Sequence, residues 1–283
     1  MMFQKAGISV MILFLTAGFL AAEKYSVSSE TRWTEGQWVL SVTCPLEKSD
    51  KVLPAQKSRA EDTVSDDLKD IIFSQLQTLL LDSRTTVKQY VQQHPDIIQQ
   101  IYALSAKAHR RFSILSPDMK RVQIQYTIDL YPDIVSLFIN HKQPSPIEPL
   151  LGFSPSTDFT GIVIYVREAL PLFGKNGTGH FTPSLFPRIY DDTMNLLMDK
   201  INVDPASIKK WGVAGFRKDL NIREYTERVG FNPLKISARG LFGIHTTDII
   251  IPASDAARVL SRQHNIGLIY SGRIIIVHQK ENE

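Results

Sequence analysis

Histidine and serine residues could carry chemistry in this chain, but their spacing favours no reaction. The histidines lie at positions 94, 109, 141, 180, 245, 264 and 278. They form no i, i+4 pair and have no cysteine partner, so only His180 with His245 is left as a metal-site alternative. Ser184 lacks the Gly-x-Ser-x-Gly context that presents a catalytic serine. We therefore predict no catalytic residue, no metal ligand and no cofactor.

A glycine-rich segment at residues 174–179 resembles a phosphate loop in composition. A phosphate cradle needs a helix N-terminus directly after the glycines, usually with Lys-Ser or Lys-Thr. Here His180-Phe181-Thr182-Pro183 follows instead. The segment is therefore predicted to be the tip of a flexible hairpin.

Arg167 and Arg188 are the polar residues most worth following, because each ends or follows an apolar strand-like run. We expect an ion pair with Asp191 or Asp192 at a sheet edge. The alternative is a ligand contact. That alternative would make the protein an exported hydrolase or ligand-binding protein with a site near these arginines and His180, although no nucleophile and base are paired in the sequence.

The N-terminus has the pattern of a secretory signal peptide. Lys5 precedes an apolar run at residues 6–20, and the small residues Ala21-Ala22 precede polar Glu23. We predict a signal peptide at residues 1–22, cut after Ala22. A retained membrane anchor is the alternative, but a run of about 15 residues is shorter than the ~20 that span a bilayer. No cysteine at the cleavage site offers a lipid anchor.

Charge and cysteine content restrict the partners. Without Lys5 the mature chain has 31 basic and 29 acidic residues, a net charge of +2. Nucleic-acid binding usually needs a stronger basic excess, so we predict no nucleic-acid partner. Cys44 is the single cysteine. It would be a small buried hydrophobe, with an interchain disulfide as the alternative.

The first module, predicted at residues 23–140, combines helices with a small sheet. Residues 37–43 alternate as a half-buried strand does, and residues 122–130 show the clearest two-residue repeat. Between them, apolar steps of three and four predict a long amphipathic helix at residues 57–81, followed by helices at 85–93 and 96–112. The acids Glu61, Asp62, Asp66 and Asp67 are interpreted as a solvated helix face.

The second module, predicted at residues 158–283, follows a proline-rich linker at residues 141–157. Residues 161–166 are continuously apolar, which indicates a strand buried on both faces. Asp204 and Pro205 mark a helix start, and the run Ile274–Val277 is expected inside a sheet. We predict an α+β protein of two small modules, each a mainly antiparallel sheet covered by helices.

Several segments of the second module carry a family resemblance. Residues 161–167 and 183–191 resemble a pattern of exported bacterial proteins, and later segments agree in order: residues 213–216, 228–230, 233–238, 248–251, 255–257 and 273–277. The first module is similar to the LPP-type surface lipoprotein domain, also found in FlgP-like flagellar accessory proteins. This chain lacks the lipid-bearing cysteine.

The resemblance implies an exported, non-enzymatic envelope protein with an assembly or scaffolding role. An association with the flagellum is the narrower alternative. Its location would be the periplasm or the outer membrane, with no transmembrane span after signal cleavage. Unpaired strand edges recruit other strands. We therefore predict a homo-oligomer, or an envelope or flagellar protein partner, joined through the strand at residues 38–43 with Trp33 or Trp38 at the contact.

Overall fold

The computed structural model describes residues 24–46, 52–152, 154–166, 169–219, 221 and 225–278. The predicted signal peptide lies outside the described residues. In the first module, four antiparallel strands form one sheet in the order β1-β2-β4-β3. They are β1 (Ser26–Arg32), β2 (Gln37–Pro45), β3 (His109–Leu115) and β4 (Arg121–Asp129).

Helices cover one face of this sheet. They are α1 (Leu53–Leu76), α2 (Val87–Gln93) and α3 (Ile98–Ala103), with short turns at Pro95–Ile97, Leu104–Lys107, Leu130–Ile134 and Val135–Phe138. Apolar side chains of α1, such as Val64 and Leu68, share a core with Leu40 of β2 and Ile124 of β4. Each fully buried side chain of this kind stabilises the fold by about 1.5–3 kcal/mol.

Two expectations for the first module are wrong. The helix predicted at residues 96–112 ends early, because His109–Leu115 form β3 against β4. The strand at residues 38–43 is no edge, because β1 pairs with its outer side over seven residues. The residues of β1 are mostly polar and alternate between exposed and half-buried positions. The strand therefore shows no apolar repeat in the sequence. β1 and β3 are the edge strands.

The second module contains ten strands and four helices within its described residues. The strands are β5 (Ile162–Val166), β6 (Leu170–Pro171), β7 (Thr178–Gly179), β8 (Ile189–Asp191), β9 (Leu196–Met198), β10 (Gly215–Arg217), β11 (Leu234–Ser237), β12 (Gly240–Phe242), β13 (Asp248–Ile251) and β14 (Ile274–His278). The helices are α4 (Pro205–Trp211), α5 (Thr226–Val229), α6 (Ala253–Leu260) and α7 (Gln263–Tyr270), with a short turn at Lys200–Asn202.

Three sheets organise these strands. The order β10-β14-β5-β11 is parallel throughout. The order β12-β13-β8-β9 is mixed, and β6-β7 is a hairpin. The α+β class with two modules is therefore confirmed. The mainly antiparallel arrangement is right for the first module and wrong for the parallel sheet of the second.

The parallel sheet is covered on both faces, which explains its composition. Ile162 and Ile164 lie in the main core, whereas Val163 packs with Ile275 and with Val229 of α5. Parallel strands buried on both faces read as continuous apolar runs because neither face meets water. The strand at residues 274–278 lies between β10 and β5, as predicted.

One apolar cluster runs through both modules, joining side chains of the first sheet to those of the second module. The described residues between 139 and 161 form no helix or strand. They are nevertheless attached to the second module, for example by Ser145 N to the Ile201 carbonyl at 2.7 Å. Within the described ranges, no helix is long and apolar enough to cross a bilayer.

Candidate functional site

Arg188 lies at the junction of the two modules, where a turn of the first module enters the second. The turn is residues 82–85, between α1 and α2. Asp82 Oδ1 shapes it by accepting hydrogen bonds from the backbone nitrogens of Arg84 and Thr85 at 2.8 and 2.9 Å. An aspartate that bonds to backbone two residues ahead is a common device for closing such turns.

Backbone hydrogen bonds fix this turn in the second module. The Ser83 carbonyl accepts from the backbone nitrogens of Ile244 and His245 at 3.1 and 3.0 Å. Gly243 has a φ of +104°, and a Cβ there would lie 2.4 Å from Ser83 Cβ. A side chain at Gly243 would therefore displace the turn.

Asp248 is the hydrogen-bond acceptor for the Ser83 side chain of this turn. Ser83 Oγ donates to Asp248 Oδ2 at 2.6 Å, while Arg188 N and Thr247 Oγ1 donate to Oδ1, each at 3.2 Å. Burial raises the pKa of the Asp248 carboxyl above its usual range, and these hydrogen bonds act in the opposite direction. The carboxylate is tolerated inside the protein because its oxygens have donors.

The Arg188 side chain binds two other acids. Its Nε donates to Asp199 Oδ2 at 2.9 Å, and its Nη2 lies 3.7 Å from Asp82 Oδ2. Burial works against the cation, but the charges of Asp199 and Asp82 outweigh it and raise the pKa of Arg188. Arg188 thus ties the turn of the first module to a loop of the second.

The ion-pair partners expected for Arg188 are therefore wrong. Asp191 instead accepts hydrogen bonds from Thr193 and Asn195, and Asp192 accepts from the backbone nitrogen of Ala253 at the start of α6. Asp191 satisfies donors of its own turn, and Asp192 satisfies a donor at the start of α6. Arg188 pairs instead with Asp199 and with Asp82, which is distant in sequence.

The junction is arranged to hold structure and offers no accessible nucleophile. Ser83 and Asp248 are each 0% exposed, so a substrate cannot reach the serine hydroxyl. Arg188 and Lys200 supply positive charge among the acids. Across the described part of the chain, no three His, Cys, Asp or Glu side chains converge as a metal site would require.

A second contact at the junction joins Tyr131 of the first module to Gly212 after α4. Gly212 has a φ of +79°, and a Cβ there would lie 2.6 Å from the Tyr131 ring. Burial raises the pKa of Tyr131 to about 12. Its hydroxyl oxygen is buried, with no hydrogen-bond partner among the described residues.

Arg228 supports the Gly212 side of this contact. It is 8% exposed and donates to the carbonyls of Trp211, Gly212 and Gly272 at 2.6–2.8 Å. Burial lowers the pKa of Arg228 to about 9, which still leaves it protonated at neutral pH. Two of the three carbonyls are at the C-terminus of α4, where the helix dipole favours a cation.

The other predicted site residues lie apart from Asp248. Trp33 packs edge-on against Phe216 of β10 with ring centroids 5.3 Å apart, and Arg217 donates to the Thr34 carbonyl at 3.1 Å. Trp38 is 2% exposed in the core of the first sheet. Both tryptophans therefore have contacts inside the chain. Arg167 lies outside the described residues.

The glycine-rich segment, the acids of α1 and Cys44 all lie within the described residues. Residues 172–177 connect β6 and β7, so residues 174–177 of the glycine-rich segment form a hairpin tip as predicted, and Thr178 and Gly179 belong to β7. On α1, Asp67 pairs with Lys24 at 2.6 Å and Glu61 pairs with Arg110 at 3.4 Å. Cys44 is buried, as expected of a small hydrophobe.

Family comparison points to one protein for both modules. Residues 24–137 match the N-terminal domain of Treponema pallidum Tp0624, and residues 161–280 match its second domain. The chain is similar to Tp0624 in two consecutive domains. No curated protein matches the sequence. The resemblance to LPP-type and FlgP-like proteins stays a prediction.

Sequence reasoning missed Asp82, Ser83, Asp199 and Asp248. The predicted helix at residues 57–81 ends directly before Asp82 and Ser83, and Asp248 lies in a segment that is used only for the family resemblance. One signal was present: Asp248 directly precedes three isoleucines. An acid at the head of a fully buried strand needs buried donors, but nothing local identifies them.

Replacing Ser83 by alanine is expected to destabilise the protein by about 1.5–3 kcal/mol, because Asp248 then loses a buried donor. The matched control is Ser116→Ala, which removes hydrogen bonds at an exposed turn: from Ser116 to Asp118 at 2.5 Å and between Ser116 Oγ and the backbone of Arg121. The control should cost less than about 0.5 kcal/mol. Urea unfolding of both variants measures the difference. Equal losses would show that the junction contact is no stronger than a surface one.

Proposed function

We propose that this protein is an exported, non-enzymatic envelope protein that serves as a rigid two-module scaffold. The observation that carries this proposal is the junction, where the turn at residues 82–85 is held by backbone and side-chain hydrogen bonds of the second module. Domains joined only by a linker usually move relative to each other. A buried polar junction with a shared core instead keeps the outer surfaces at a fixed spacing.

Export is supported by the residue pattern at positions 1–22. The mature chain would then act in the periplasm or at the outer membrane. Cell fractionation tests this step: we expect a chain that begins at Glu23 in the envelope fraction. A full-length, uncut chain in the cytoplasm would contradict the proposal. A flagellar role rests on the family resemblance alone.

Self-association would give such a scaffold its assembly function, and β1 is the strand edge best suited to it. β1 pairs with β2 over seven residues without a register shift, and in the described part of the chain it has no partner on its other side. Its exposed side chains include Ser26, Ser28 and Glu30, and Arg32 at its end pairs with Glu30. A long, regular edge with little charge is a template for another strand.

The opposite edge, β3, is protected by features that natural sheets use against pairing. Its register shifts between Arg110 and Phe112, and Arg110 pairs with Glu61 of α1. Lys57 Nζ also donates to the Ser113 carbonyl at 3.0 Å. Bulges and charged side chains discourage strand addition. We therefore place the contact at β1, pairing two copies around a two-fold axis.

A variant with Ser28→Lys and Glu30→Lys should be monomeric, because lysines on an edge strand repel the same strand of a second copy. The wild type should dimerise with a dissociation constant of about tens of micromolar, or about −6 kcal/mol. The matched control, Ser58→Lys with Asp62→Lys, adds the same charge at exposed positions of α1. Analytical ultracentrifugation measures the dimer dissociation constant of the wild type, the β1 variant and the α1 control.

Either of two results would refute assembly through β1. One is a wild type that stays monomeric up to about 100 µM, where a contact of roughly −6 kcal/mol is largely formed. The other is a dimer that the α1 control weakens as much as the β1 variant does, since this would assign the effect to net charge.

A further inference from the structure

The proline-rich segment and helix α6 border a cleft that is open to solvent and has no part in the junction. Its volume is about 580 Å³, and its polar lining consists of Ser154, Ser156, Thr157, Arg258, Ser261 and Arg262. Sites for small molecules usually measure about 300–1,000 Å³ and contain a few polar groups that converge. This cleft has that size and is unusually rich in hydroxyl groups.

A buried asparagine fixes both walls of the cleft. Asn265 is 0% exposed, and its Nδ2 donates to the carbonyls of Thr157 and Arg258 at 2.9 and 3.1 Å. Its Oδ1 accepts from Phe159 N at 3.0 Å. The segment is therefore tied to α6 and α7 through side-chain bonds. A preformed site loses less entropy when a ligand binds.

Two guanidinium groups line the cleft, and each forms an ion pair. Arg258 Nη1 pairs with Asp255 at 3.1 Å, and Arg262 Nε pairs with Asp158 at 2.6 Å. Neither aspartate is among the residues that line the cleft. The arginine side chains are 38% and 45% exposed, so solvent and solutes reach them.

Each arginine keeps hydrogen-bonding capacity beyond its ion pair. Arg262 Nη1 donates to the Ser156 carbonyl at 3.3 Å, and Arg258 lies over the Phe159 ring at 5.1 Å. Among the described residues, neither Nη2 atom has a hydrogen-bond partner. A guanidinium group has five N–H donors and suits the paired oxygens of a carboxylate or phosphate.

We propose that this cleft binds a small acid that carries a phosphate or carboxylate group next to several hydroxyl groups. The arginines bind the oxyanion, and the side chains of Ser154 and Thr157 bind the hydroxyls, whereas Ser156 Oγ already donates to the Arg258 carbonyl at 2.7 Å. A cation would meet two guanidinium groups there, and a purely apolar ligand would offer these groups no hydrogen-bond acceptor. The proposal is independent of the scaffold function and of assembly through β1.

The test uses the mature full-length protein and three probes: glucose 6-phosphate, glucuronate and neutral glucose. Calorimetric titration at low ionic strength should detect at least one of the two acids, while glucose should bind more than tenfold more weakly, since a charge-assisted bond adds about that much. Binding of both acids indicates a general oxyanion site. Binding of only one identifies the phosphate or the carboxylate as the recognised group.

Variants assign the binding to the cleft. The double variant Arg258→Gln with Arg262→Gln should weaken binding about tenfold or more, whereas Arg111→Gln, an exposed arginine of the first module, should leave it unchanged. Ser154→Trp keeps both arginines and blocks the cleft by size, so it should also abolish binding. Circular dichroism confirms that each variant is folded.

The proposal is overturned if neither acid binds below about 10 mM, a very weak affinity. It is also overturned if glucose binds as tightly as the acids. A folded Ser154→Trp variant that binds like the wild type would place the ligand elsewhere on the surface and reject this cleft, whatever the double arginine variant does.

Discussion

The hydrogen bond from Ser83 to Asp248 is the interaction on which the rest of the structure depends. A buried carboxylate is costly unless donors satisfy its oxygens. Two of the donors to Asp248 come from its own module, but Ser83 comes from the first module. Asp248 begins β13, and Arg188 directly precedes β8, its parallel partner. The mixed sheet of the second module is thus completed by a turn of the first.

The other contacts between the modules extend this constraint. Tyr131 packs where Gly212 leaves space, and Trp33 packs against Phe216 in the middle of β10. Together with the turn at residues 82–85, they hold the first module against two separate sheets of the second. Rotation at one contact would break the others. The relative position of β1 and of the cleft at Arg258 is therefore fixed, which is what a scaffold requires.

The sequence predicted those elements whose cause is local. The two-residue repeat at residues 122–130 gave β4, and Asp204 with Pro205 marked the start of α4. The pairing of strands could not be predicted in this way, because β5, β11 and β14 meet only through long crossover connections. The continuous apolar composition of β5 nevertheless fits a parallel sheet better than the antiparallel one expected.

The junction was harder still to predict, because its members are far apart in sequence and ordinary in type. Ser83 and Asp248 are separated by 165 residues. Arg188 has acids nearby at positions 191 and 192, but Asp191 accepts from donors of its own turn and Asp192 from the backbone nitrogen at the start of α6. The first four residues of β3 lie in the helix predicted at residues 96–112, because no glycine or proline interrupts the sequence there. Pairing with β4 makes this segment a strand.

Scanning calorimetry of the mature protein tests the coupling of the two modules most directly. We predict one transition with a calorimetric to van't Hoff enthalpy ratio of about one. Gly212→Ala should lower the midpoint by about 2–10 °C more than Gly174→Ala, through a clash of about 1–3 kcal/mol. Both glycines have a φ near +80°, but only Gly212 faces the Tyr131 ring. Two separate transitions in the wild type, with equal shifts in the two variants, would contradict a single coupled structure.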